Sequence, residues 1–464
     1  MRVNNNLMTR CLLILLMLPF LASCSEDSDD IVSNDYCYIR SVTLGAIKRK
    51  VEQRDDEGNV STVSTSVTGS NFAMTIDQRN NTIENRDSLP YGCQLSAVLV
   101  TIAFDGSAVK YRVKGSNNEW TAYNSTDSLD LTMPLELHLT SNDYLSSRVY
   151  TFKVNVHKQE GDSLVWKKCE SEVTPLTGMT DMKVFLLNDK LMVLGKNASG
   201  VVLAERSGIE AQGTWEEAVT TNLPLTADLQ TLRQCAGTLY LSTSEGNFLS
   251  STDAKTWQQE GATYTAGLTL IEKTDDYYYA LSESKILSSF DAVTWGEEKL
   301  DTKADSLPDA GVRALSLQQA NGNFRIVMVG QRQDCQNAIV WNKAWNDGWD
   351  IYESDAEWMY FPSSPDNRIP CPRLQYLNLI AYDGKCVVFG GASLDNTHGA
   401  LDAMYVSQDY GITWRPSTEL HLPAALKGVD GCVTSTVDKN NYIWIITNAQ
   451  VWRGRLNRLG FAQQ

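Results

Sequence analysis

The sequence predicts an all-β protein in two successive domains, on three observations. Between Tyr36 and Lys158 apolar and polar residues alternate in short runs separated by turn clusters, as half-buried strands require. Further on, Ser407-Gln408-Asp409-Tyr410-Gly411-Ile412-Thr413-Trp414 sets a carboxylate, a glycine and a Thr-Trp pair at fixed spacing. Shortened versions end at Trp257 and Trp295. Recurrence at roughly forty residues is the period of a four-stranded repeating unit. The expected architecture is an immunoglobulin-like sandwich followed by a six-bladed β-propeller closed by its N-terminal strand.

The first 23 residues read as a secretion signal. Arg2 and Arg10 supply positive charge, and Cys11 to Phe20 is an apolar run too short for a dependable membrane span. Leu21-Ala22-Ser23-Cys24 resembles a bacterial lipobox, which implies lipidation at Cys24 and attachment to a membrane through that anchor. Residues 24–35 form an acidic tether. Its Ser25-Glu26-Asp27-Ser28-Asp29-Asp30 resembles the surface-export signal of Bacteroidota lipoproteins, so the expected location is the outer membrane, facing outward, with the periplasmic face as the alternative. A formal charge of −16 argues against nucleic acid as a partner. Eight cysteines remain after Cys24, in spacings that match no zinc pattern, and no metal or cofactor is expected. Cys235, Cys386 and Cys432 sit in or beside apolar strands and read as free, buried small hydrophobes. A Cys37–Cys93 bridge is one option for the first domain.

The sandwich is expected over residues 36–160. Its strand candidates include Ile39–Leu44, Phe72–Ile76, Ala97–Ile102, Leu135–Leu139 and Tyr150–Val156. About seven such strands in this length suit an immunoglobulin-like module. The run Gln159-Glu160-Gly161-Asp162 marks the boundary.

The propeller is expected over 163–464, with a Trp opening the outermost strand of each blade: Trp166, Trp215, Trp257, Trp295, Trp349 and Trp414. Three strands follow Trp414, and Leu164–Lys168 is an outer strand with no inner strands before it. Pairing the two ends completes the last blade and removes an open sheet edge. The turn pattern is known as an Asp-box: the Asp accepts backbone N–H bonds across the turn, and Trp anchors the next strand. Gly390-Gly391, Tyr405 and Trp414 make one blade resemble a kelch repeat. Taken whole, the chain is similar to uncharacterised Bacteroidota surface lipoproteins that carry a sandwich-like domain and a propeller. That resemblance implies no particular activity.

Asp-box turns lie on one face of the disc. Loops from second to third strand, and from blade to blade, open on the other face, where propeller ligands usually sit. The connection of about Glu353 to Gln375 is long and carries Trp358, Tyr360, Phe361, Arg368 and Arg373. The loop Ala392 to Ala400 carries Asp395, Asn396 and His398, and the equivalent loop before it carries Arg332 and Asp334. Aromatic rings with Arg, Asp and Asn suit a sugar-binding surface; the alternative is that the rings pack the loop onto the disc. A sialidase reading is weaker. Arg368-Ile369-Pro370 matches a short element of that family, but it follows two Asp-boxes instead of preceding them, and no Tyr–Glu pair can be assigned. The reading favours a binding module for a glycan or protein ligand over an enzyme, with a structural role in an outer-membrane assembly as a third option.

Overall fold

The computed structural model describes residues 35–54, 60–262, 267–346, 351–395 and 397–461. The signal segment, Cys24, the tether up to residue 34, Trp349 and Asn396 lie outside the described residues. The chain forms two compact units that divide between Glu160 and Gly161.

In the first unit a three-stranded sheet (Tyr38–Leu44, Val98–Asp105, Ser128–Leu129) and a six-stranded sheet share one core. The six-stranded sheet runs, in spatial order, Met74–Asp77, Thr82–Asn85, Ser147–Lys153, Leu135–Thr140, Ala108–Val113 and Thr121–Ala122. Strict alternation puts Leu135, Leu137 and Leu139 inward while Glu136 and His138 face out. One pairing, Thr82–Asn85 with Ser147–Lys153, is parallel. The long hairpin Ala46–Arg54/Val60–Thr68 forms a separate two-stranded sheet. Cys37 and Cys93 are both buried and both free, and the Cys37 thiol donates to the Leu139 carbonyl at 3.2 Å.

In the second unit the described residues form six four-stranded antiparallel sheets. Their first strands are Asp181–Leu187, Arg233–Cys235, Thr269–Lys273, Ala310–Gln318, Asn378–Tyr382 and Val433–Val437. The sixth sheet takes its fourth strand from the start of the unit: Leu164–Glu170 pairs antiparallel with Gln450–Leu456. Buried clusters occupy every junction between consecutive sheets, and another joins the sixth sheet to the first through Trp444, Ile446, Val184 and Val193. Each sheet thus buries both faces, which explains near-continuous apolar strands such as Ile443–Thr447.

The 407–414 turn shows why its sequence repeats. Asp409 accepts from the Thr413 amide (2.9 Å) and hydroxyl (2.6 Å) and from the Ser407 hydroxyl (2.7 Å), and the Trp414 indole donates to the Gly411 carbonyl at 2.9 Å. Asp253 and Asp291 each accept two backbone amides across their shorter turns, and Trp257 and Trp414 are buried. In the shortened turns Ala254 and Ala292 adopt positive φ, +63° and +54°.

One sheet departs from expectation. The fourth strand of the fourth sheet is Trp358–Tyr360, with Trp358 opposite Lys343. This strand, and not one opening at Trp349, fills that place, because Trp358 fits between the third and fourth sheets beside Tyr279. The long connection therefore begins only at Phe361.

Candidate functional site

Two neighbouring regions of the second unit concentrate polar side chains. The first is the loop face expected from sequence, where Arg373 holds the fifth sheet's entry to the fourth sheet's loop. Its guanidinium donates to the Cys335 carbonyl at 2.8 Å. Arg332 grips Asp334 through two bonds of 2.8 Å. Asp395 accepts from the hydroxyls of Ser393 (2.6 Å) and Thr397 (2.7 Å) and from the Thr397 amide, and the Gln336 side chain reaches it from the adjacent loop. These bonds hold its carboxyl well below the usual carboxylate range. His398 is half-buried, with Nδ1 2.8 Å from the Tyr405 hydroxyl. Arg373, Asp395 and His398 are therefore brought together with Arg332 and Asp334.

Three expected residues are placed elsewhere. Trp358 has no exposed surface and serves as core, so it cannot stack on a sugar. Tyr360 is half-buried with its ring stacked on Trp341 at 5.1 Å. Arg368 is exposed, but its segment is tied to the 407–414 turn: Asn367 donates to the Ile412 carbonyl, and the Trp414 amide donates to Ile369. That turn joins third to fourth strand, so Arg368 stands at the opposite end of the sheet from Arg373. Among the described residues, the aromatic side chain that the loop face does expose is Tyr376, at 42%. It stands beside Gly390-Gly391, where a Cβ on Gly390 would come within 2.6 Å of the Gln375 carbonyl oxygen. The paired glycines let the Gln375-Tyr376 backbone lie against the strand end, a close approach that could have marked Tyr376 in the sequence.

The second region, which sequence reasoning missed, is the space enclosed by the first strands. Alternation along Asp181–Leu187 sends Met182 and Val184 into the junction with the sixth sheet and leaves Lys183 facing the interior. Lys183 and Arg233 line a cavity of about 370 Å³ whose walls include Phe185, Leu315, Leu379 and Ser435. Arg313 and Glu272 stand close enough to act electrostatically on Lys183. Burial, then the charges of Arg233 and Arg313, brings the Lys183 ammonium down to about 7. Burial likewise brings Arg313 down to about 10 and pushes the Glu272 carboxyl up. Arg233 donates to the carbonyls of Ile271 (2.6 Å), Gln230 and Leu232, while its buried Nη2 has no partner.

Residues 160–464 match the DUF6242 beta propeller domain, and residues 42–154 match the DUF6242 N-terminal domain, a domain of unknown function. No curated protein matches. Solved structures with similar folds include YCF48 from Cyanidioschyzon merolae, at 10% identity and TM-score 0.32, covering 62% of this chain and 98% of that one. The GH93 alpha-L-arabinofuranosidase of Fusarium graminearum, with arabinobiose, aligns at 12% identity and TM-score 0.36, covering 63% and 97%. YjhT aligns at 12% identity and TM-score 0.38, covering 61% and 95%. With a two-part match that spans most of its length, and a second unit built of four-stranded sheets packed face to face, the chain belongs to the DUF6242 family, whose C-terminal domain is a β-propeller.

Proposed function

We propose that this protein is a lipid-anchored envelope protein that presents a six-bladed propeller as a binding module. In this reading Cys24 carries the lipid, the chain faces outward from the outer membrane, the first unit is an immunoglobulin-like spacer, and the six sheets are six blades latched by Leu164–Glu170. The ligand is a glycan or a protein, held on the loop face around Arg332, Arg373, Tyr376 and His398.

One observation carries the choice of binder over hydrolase. The carboxylates of the loop face are engaged as turn closures or ion-pair partners: Asp395 by Ser393 and Thr397, Asp334 by Arg332. Both are held below the usual carboxylate range by those bonds, Asp334 chiefly by Arg332, so neither is a ready proton donor near neutral pH. A fixed polar rim around one exposed ring suits recognition without chemistry.

The test is a glycan array probed with the chain downstream of Asp30, beside Tyr376→Ala and Arg332→Ala. Selective binding lost in both variants supports the reading. Binding retained in both moves the site off this face. Absence of any glycan binding sends the search to protein partners, by pull-down from membranes. The anchor is tested separately: Cys24→Ser should abolish labelling by a palmitate analogue, and persistent labelling would remove the lipid from the proposal.

A further inference from the structure

We propose that the cavity enclosed by the first strands of the propeller is a binding site for a small organic carboxylate, with Lys183 and Arg233 as its anion-binding groups and Arg313 beside them. This goes beyond the loop-face reading and does not depend on it.

Two cations from different sheets, Lys183 and Arg233, line one cavity, Arg313 from a third sheet acts on Lys183 from beside it, and among the described residues none of the three forms an ion pair. The nearby carboxylates act on these cations only through space and make their hydrogen bonds elsewhere. Asp181 accepts the Gln230 side-chain amide at 2.6 Å, Asp228 accepts the Gln230 backbone amide at 3.0 Å, and Glu272 accepts the Lys273 amide at 3.0 Å. Arg233 is only 6% exposed and keeps Nη2 without an acceptor. An unsatisfied buried donor on a charged group is costly, and a ligand oxygen would relieve it. The walls then narrow the ligand class. Phe185, Leu315 and Leu379 are apolar and would gain nothing from a bare phosphate or sulfate, whereas Ser435 offers a hydroxyl. An anionic head on a compact organic body fits both halves of the cavity, and an acidic monosaccharide is one member of that class.

Binding should be coupled to protonation of Lys183. The groups that act on this ammonium are Arg233 from the second sheet, Arg313 from the fourth, Glu272 from the third and Asp181 on its own strand; Asp228 acts in turn on Arg233 and Arg313, and Cys432 on Arg313. An anion beside Lys183 favours its charged form, so affinity is greatest below pH 7 and falls as the free ammonium deprotonates above it.

The experiment is isothermal titration calorimetry on the chain downstream of Asp30. Glucuronate and acetate serve as probes, with glucose and inorganic phosphate as controls. The expected result is saturable binding of both carboxylates, tighter for glucuronate than for phosphate, and at least tenfold weaker at pH 8.5 than at pH 6. At pH 8 the heats should differ between buffers of different ionisation enthalpy, revealing proton uptake. Lys183→Met should lose the binding and its pH dependence, and Lys183→Arg should restore binding without the proton uptake. Tyr376→Ala should bind both probes normally, which separates this site from the loop face. Three outcomes overturn the proposal: no saturable binding of either carboxylate, phosphate binding as tightly as glucuronate, or undiminished binding by Lys183→Met.

Discussion

Arg206 and Glu170 meet as a two-pronged pair, with Nη2 to Oε1 at 2.6 Å and Nε to Oε2 at 3.3 Å. The guanidinium is fully buried, lies over the Trp444 ring at 5.0 Å from its centroid, and shares Glu170 with the Trp215 indole. Glu170 ends the strand that completes the sixth sheet, and Arg206 ends the third strand of the first. Glu170→Ala would leave a buried cation unpaired, which costs about 3–5 kcal/mol. Urea unfolding should show a correspondingly lower midpoint. A loss under about 1 kcal/mol would mean that water reaches the pair.

Trp358 and Tyr376 should separate cleanly by their effects on stability. Trp358→Ala removes a ring with no exposed surface and should cost about 3–5 kcal/mol. Tyr376→Ala removes an exposed ring and should change stability by roughly 0.5 kcal/mol or less. Thermal unfolding of the two variants checks the pair. Comparable losses would mean that Tyr376 is packed in solution.

The turn carboxylates predict acid sensitivity. Asp253 and Asp291 are lowered first by the amides of Thr256 and Thr294, and Asp395 first by the Ser393 hydroxyl. Burial pushes Asp409 up, but the bonds from Thr413 and Ser407 outweigh it and leave it lowered. A depressed native value contributes stability above the unfolded carboxylate range that is lost as pH falls through the native value. Wild-type stability should therefore drop steeply below about pH 4, and Asp409→Asn should flatten part of that drop. An unchanged pH profile in the variant would dissociate the turn from the acid response.

Lys183 predicts the opposite edge. Its native value, about 7, lies below the ordinary 10.5, so the unfolded chain binds the extra proton between those values and stability from this group rises with pH across that window. Lys183→Met lacks this penalty. The variant should exceed wild type in melting temperature by the widest margin below pH 7, with the margin narrowing toward pH 10. A margin independent of pH would show that the lysine is not desolvated.

What was legible in the sequence was local. The 407–414 turn announces itself because Asp, Gly, Thr and Trp must stand at fixed offsets to close it, and Leu135–Thr140 because one buried face imposes alternation. The fourth strand of the fourth sheet was not legible in this way. Trp349 and Trp358 both follow turn-rich stretches, and only pairing with Lys343 and packing on Tyr279 selects Trp358. For the same reason Trp358 looked like an exposed anchor in a long loop. The cavity was invisible for a different reason. Lys183, Arg233, Glu272 and Arg313 come from four separate sheets, and each alone is an ordinary charged residue within or beside a strand.

The pairing of Leu164–Glu170 with Gln450–Leu456 has a temporal consequence. The sixth sheet cannot acquire its fourth strand, nor Arg206 its fully seated partner, until Gln450–Leu456 has been made. A nascent polypeptide is therefore held short of its native state until that strand emerges, and a chain cut ahead of Gln450 is left unfastened and open to degradation. Closure of the sixth sheet reports that both of its distant strands have been made.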